Sequence, residues 1–157
     1  MTLSPQTTQA IRNAADSHGG AKAAMLEALK LVQAAEGYVS DAHLAEAAAK
    51  LGVSTAEIDS LATFYSHIFR SPVGETVILL CDGLSCYLCG GDAVRDAVMQ
   101  KLGIGFGETT PDGKFTLINV CCIGGCDVAP AALVGPDRKL VGPLSADDLT
   151  QLIGGGR

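Results

Sequence analysis

The sequence predicts an α/β (α+β) protein in two parts, an N-terminal helical bundle over residues 1–72 and a small α/β layer over residues 73–157. Three observations carry this expectation. The first half is rich in alanine, with apolar residues at helical spacing. Pro72 and Gly74 then interrupt the pattern within RSPVGE. From Glu75 onward, short β-rich runs alternate with one strong helical stretch.

The bundle reads as four helices. In SPQTTQAIRNAADSHGG, Ser4 is the cap, Pro5 takes the first helical position and Gly19-Gly20 close the helix. AKAAMLEALKLVQAAEG places Met25, Leu26, Leu29 and Val32 on one face. SDAHLAEAAAKLG has Ser40 as its cap, Leu44 and Leu51 on its apolar side and Gly52 as its stop. STAEIDSLATFYSHIF opens with Ser54 and Glu57 three apart, the pattern of a capping box. These last two helices have the spacing of a helix-turn-helix, yet the second carries no Lys or Arg before Arg70. Phosphate contacts need positive charge there, so a packing module is the expectation.

The second part begins with TVILLC, a strand ending in a cysteine. GGDAVRDAVMQKLGI is a helix with Val94, Ala97 and Val98 inward, and KFTLINVC is a second strand ending in a cysteine. AALVG and KLVG are short strands around the turn GPDR, and LSADDLTQLIGG is a last helix capped by Ser145. Strand, helix, strand implies a parallel pair with a right-handed crossover. Parallel neighbours release the loops that follow them at the same edge of the sheet, which would bring the cysteines together.

Totals narrow the function. The 157 residues carry a net charge of −6, no broad electrostatic footprint for nucleic acid. MTLSPQTTQAIRN lacks a basic stretch followed by an apolar run, and no apolar segment approaches the roughly 20 residues that cross a bilayer. A cytoplasmic protein without direct membrane insertion is expected, in a compartment where six cysteines point to metal or redox chemistry rather than staples.

Cys81-x4-Cys86 and Cys122-x3-Cys126 are the pairs that stand out. Structural zinc tolerates such pairs, although an interval of two is commoner. Cys86-Tyr-Leu-Cys89 offers the spacing of a thiol–disulfide site at a helix start. The wider loops suit a two-iron, two-sulfide rhomb with one pair per iron, and Gly83, Gly124 and Gly125 let backbone approach its sulfides. Spacing leans toward the iron–sulfur reading and leaves zinc and thiol exchange open.

TFYSHIFRSPVG, CDGLSC, GETTPDGKFTL and CCIGGCDVAP, with the helical lead-in, together resemble the E-subunit family of NADH:quinone oxidoreductase. That family includes the gamma subunit of NAD-dependent formate dehydrogenases and the equivalent subunit of bidirectional hydrogenases. The likeness runs over about residues 26–152. It implies a thioredoxin-like [2Fe–2S] ferredoxin domain behind a helical bundle, with one [2Fe–2S] cluster on Cys81, Cys86, Cys122 and Cys126. It also implies a partner subunit that holds FMN and NAD, in the peripheral arm of a membrane-bound complex. An all-thiolate centre of this kind is low in potential, on the order of −400 mV in plant-type examples. The role implied is electron transfer within an NADH dehydrogenase-type complex, with a freestanding thioredoxin-like ferredoxin as the alternative and no substrate chemistry by this chain alone.

Other residues have plainer readings. Cys89 and Cys121 fall outside the set, as small buried hydrophobes or spare thiols. Asp82 and Asp127 follow ligand cysteines and are solvated turn residues, or charges that lower the potential. GIGFGE lacks a full Gly-x-Gly-x-x-Gly and follows a helix, so it is a helix exit. His18, His43 and His67 are expected at helix ends or on polar faces, and Phe64 and Tyr65 in the core or against a partner.

Overall fold

The computed structural model describes residues 3–154, and the chain divides in sequence between Pro72 and Val73 into two units. The first holds α1 (Pro5–Ser17), α2 (Ala21–Glu36), α3 (Asp41–Leu51) and α4 (Thr55–Phe64). Local chemistry sets their starts. Ser4 accepts from the Thr7 amide and Pro5 follows it, so the donor that proline lacks is one the first turn leaves unpaired anyway. Ser54 and Glu57 form the reciprocal box at α4, and Lys22 beside Glu57 holds that carboxyl at about 2.

Ile11, Leu29, Val32, Leu44 and Ile58 meet in this unit's core, fully or almost fully buried. Each such side chain contributes roughly 1.5–3 kcal/mol. Met25 and Leu26, expected inward, are only partly buried against that core, whereas Ala24 and Ala28 are inside. Small side chains let the helices approach and push the longer ones to the rim.

One expectation fails here, and two open ones narrow. α4 stops at Phe64, not at Phe69; the Gln33 side chain of α2 captures the segment beyond, donating to the His67 carbonyl (2.9 Å) and accepting from the Phe69 amide (2.6 Å). His43 sits at a helix end, in the first turn of α3, and is buried there with its ring serving as the far half of the Ser40 capping box. Of the two readings of Phe64, the core one is excluded, since it is 77% exposed, set edge-on against Tyr65. Arg70 pairs with Asp41 and Asp59, so the cation nearest the would-be recognition helix is already neutralised. Gln33→Leu strips two backbone groups of their partners at once, and a drop of about 2 kcal/mol in unfolding free energy is expected in a urea titration.

The second unit contains β1 (Thr76–Cys81), α5 (Leu84–Leu88), α6 (Gly91–Leu102), β2 (Phe115–Val120), a 3-10 turn (Cys126–Val128), β3 (Ala132–Val134), β4 (Lys139–Val141) and α7 (Thr150–Ile153). The sheet order is β2-β1-β3-β4. β1 runs parallel to β2, with Thr76 opposite Phe115 and Cys81 opposite Val120, and antiparallel to β3. The β3–β4 hairpin completes the sheet. β1 is central and almost wholly buried, as its unbroken apolar run requires. Ile78, Leu80, Leu117 and Ala132 from the sheet pack with Val94 and Val98 of α6 and Leu152 of α7.

Two elements differ from expectation. α5 is additional to the expected elements, and it carries Cys86. α7 begins at Thr150, not after Ser145, because the Asp148 carboxylate takes the Thr150 amide and hydroxyl and starts the turn there.

Candidate metal centre

The parallel β1–β2 register decides where the cysteines go. Both strands end at the same level, so the loops after Cys81 and Val120 leave from one edge of the sheet. The ladder continues one step beyond, as the Asp82 amide donates to the Val120 carbonyl (3.0 Å). The loops then touch. Cys81 Sγ lies 3.9 Å from the Cys121 carbonyl oxygen. Gly83 stands so close that a methyl group on it would be 2.7 Å from that oxygen and 3.4 Å from Cys81 Sγ.

Cys81, Cys86 and Ala131 form one buried cluster, with Ile123, Val128 and Ala129 packed against it. The Ala131 carbonyl accepts from the Cys81 amide (3.2 Å). Burial, then the hydrogen bond with Cys81, pushes the Cys86 thiol up to about 11, while backbone hydrogen bonding at Ala131 pulls the other way. Cys126 begins the 3-10 turn and is exposed; Cys122, two residues past β2, is exposed as well. Gly124 between them has φ +77°, which only glycine adopts without strain.

All six cysteines are free thiols. Cys89 and Cys121 are exposed, which corrects the expectation that they are small buried hydrophobes and leaves them as spare thiols. Asp82 and Asp127 are exposed, as solvated turn residues are.

Among the described residues, no three His, Cys, Asp or Glu side chains form a finished metal cage. Cys81 and Cys86 are hydrogen-bonded neighbours, and Cys122 and Cys126 stand exposed on the second loop. Neutral thiols have no attraction that would gather them; a bound group exchanges their protons for metal–sulfur bonds and closes the set. The donors fit a thiolate-held iron–sulfur group, with two buried sulfurs on one loop, sulfurs on a second loop touching the first, and a glycine cradle between. Sequence reasoning missed Ala131, which acts through its backbone and leaves no mark in a motif.

Comparison with known proteins agrees. Residues 11–156 match the thioredoxin-like [2Fe–2S] ferredoxin family. The E subunit of the Pseudomonas aeruginosa NADH-quinone oxidoreductase is 42% identical over 132 residues, covering 84% of this chain and 78% of the relative. Its Escherichia coli counterpart is 40% identical over 135 residues, covering 86% and 81%. Among solved structures, an air-oxidised NAD+-reducing [NiFe]-hydrogenase superposes with a TM-score of 0.63 at 26% identity over 80% of this chain, which spans 22% of that hydrogenase chain. The chain thus belongs to the thioredoxin-like [2Fe–2S] ferredoxin family, together with the E subunits of NADH-quinone oxidoreductases.

Proposed function

We propose that this chain is the electron-transfer component of an NADH-quinone oxidoreductase, in the place that the E subunit takes. In this reading Cys81, Cys86, Cys122 and Cys126 hold one [2Fe–2S] cluster beside a flavoprotein subunit that binds FMN and oxidises NADH. The complex would carry the chain on the cytoplasmic side, in its peripheral arm. The observation that carries the reading is the parallel β1–β2 pair, whose two cysteine loops meet at a single edge. The cluster supplies one-electron storage and release.

The residues of the chain do the rest. Cys81 and Cys86 present sulfur from a buried wall, and the backbone at Ala131 hydrogen-bonds the Cys86 sulfur, which favours its thiolate. Cys122 and Cys126 complete the set from the solvent side, so the centre lies near the surface, where a partner can exchange electrons with it. α5 supports docking there, since Leu84 and Leu88 are 72% and 73% exposed on the helix that buries Cys86.

The likeness to an NAD+-reducing hydrogenase supports a second reading, the equivalent subunit of such an enzyme. Identities of 42% and 40% to the E subunits favour the first. EPR of the dithionite-reduced protein tests the centre, with the signal of one binuclear cluster expected. Zinc without acid-labile sulfide would reject it. Co-purification with a flavoprotein of a quinone-linked complex supports the first reading, and co-purification with hydrogenase subunits the second.

A further inference from the structure

We propose that the edge strand β4 clamps the turn that carries Cys126, with Leu140 as the positioning residue. This rests on the reading of Cys126 as a ligand and goes beyond it, because it names what holds that sulfur in place. Gly125 precedes Cys126 at φ −96°, a conformation any residue adopts, so its lack of a side chain has another cause. A methyl group there would lie 2.7 Å from Leu140 Cδ1, 3.3 Å from Cδ2 and 3.5 Å from Ala131 Cβ. The tip of Leu140 occupies the space above Gly125.

A second close approach comes just past the end of the strand. A methyl group on Gly142 would collide with the Val128 carbonyl oxygen and lie 3.0 Å from the Pro130 oxygen. The Leu144 amide then donates to that same Pro130 carbonyl (2.8 Å). Residues 140–144 therefore run beside residues 125–130 and touch them at three points. Within the turn itself, the Val128 amide bonds the Gly125 carbonyl (3.2 Å), which is little to fix an exposed cysteine. The turn has to borrow its rigidity from β4. Leu140 is 43% exposed, so it also stands between the turn and water.

Removing that side chain frees the turn and admits solvent. Water next to a thiolate-bound centre stabilises its more negative, reduced state, so the potential rises. In the full-length chain, Leu140→Ala is expected to speed amide hydrogen exchange across residues 123–130 several-fold and to shift the midpoint potential upward in an EPR-monitored titration. Leu140→Met, equally long, should stay close to the parent in both. Gly125→Ala should disturb the turn alone, and Gly125→Ala with Leu140→Ala should recover toward the parent, because the new methyl takes the vacated space. Unchanged exchange and potential in Leu140→Ala would overturn the proposal, as would a double variant no closer to the parent than Gly125→Ala. Should Leu140→Ala retain no cluster, exchange rates of cluster-free parent and variant decide the question. Cluster retention in Cys126→Ala would instead sink the ligand reading and leave the exchange comparison standing.

Discussion

Cys86→Ser is expected to remove the iron centre, whereas Cys89→Ser, three positions on, leaves it in place. The two cysteines share a Cys-x-x-Cys spacing, and sequence alone makes them rivals. α5 separates them. Cys86 lies on its inner face, buried against Cys81 and Ala131, while Cys89 caps its end in solvent. A serine at position 86 offers a harder, poorer donor than thiolate. It also buries a polar group in the pocket formed by Ile123, Val128 and Ala129. Iron and acid-labile sulfide content should fall to a small fraction of the parent's, and the visible absorption and the reduced EPR signal should disappear with them. Cys89→Ser should keep all three. Loss of the centre from both variants would instead make Cys86 and Cys89 the pair, with Cys81 a buried neighbour, and the reversed result would put Cys89 in the place of Cys86.

Much of this architecture is legible because it is local. Ser4-Pro5 and Ser54/Glu57 specify helix starts through bonds within one turn, and TVILLC reads as a strand because it is a short β-rich run. The parallel pair, and hence the shared edge of the cysteine loops, follows from strand, helix, strand with no contact information. What escaped depends on partners distant in sequence or on segments too short to show a period. α5 has five residues, fewer than two turns, so its periodicity cannot register. Gln33 reaches a segment 34 residues away, and nothing at position 33 announces it. His43 looks like a polar helix residue until its ring completes a cap that a glutamate normally provides. Within the site, Cys81 and Cys86 fall where the motif requires, while the backbone of Ala131 and the tip of Leu140 contribute through shape and amide geometry.

Gly83→Ala tests the meeting of the two loops more sharply than any cysteine variant, because it removes no donor. Gly83 has φ −62° and ψ 157°, an extended conformation that alanine accepts freely, so backbone strain is not the obstacle. The obstacle is the Cys121 carbonyl oxygen, 2.7 Å from where the new methyl group would sit. That oxygen belongs to main chain just past β2, held by the register that sets Cys81 opposite Val120, and cannot swing aside like a side-chain tip. One loop must retreat from the other, and overpacking of this kind costs about 1–3 kcal/mol. The retreat widens the gap between Cys81–Cys86 and Cys122–Cys126, so cluster content should fall although all six thiols remain. Gly90→Ala is the matching control. At Gly90 (φ +89°) a methyl group meets nothing within 4 Å, so the change costs roughly 1 kcal/mol through backbone strain and moves neither loop. Comparable stability loss in both variants, with iron and sulfide lost only from Gly83→Ala, is the expected pattern. Full cluster content in Gly83→Ala would mean that the two loops need not touch for the centre to form.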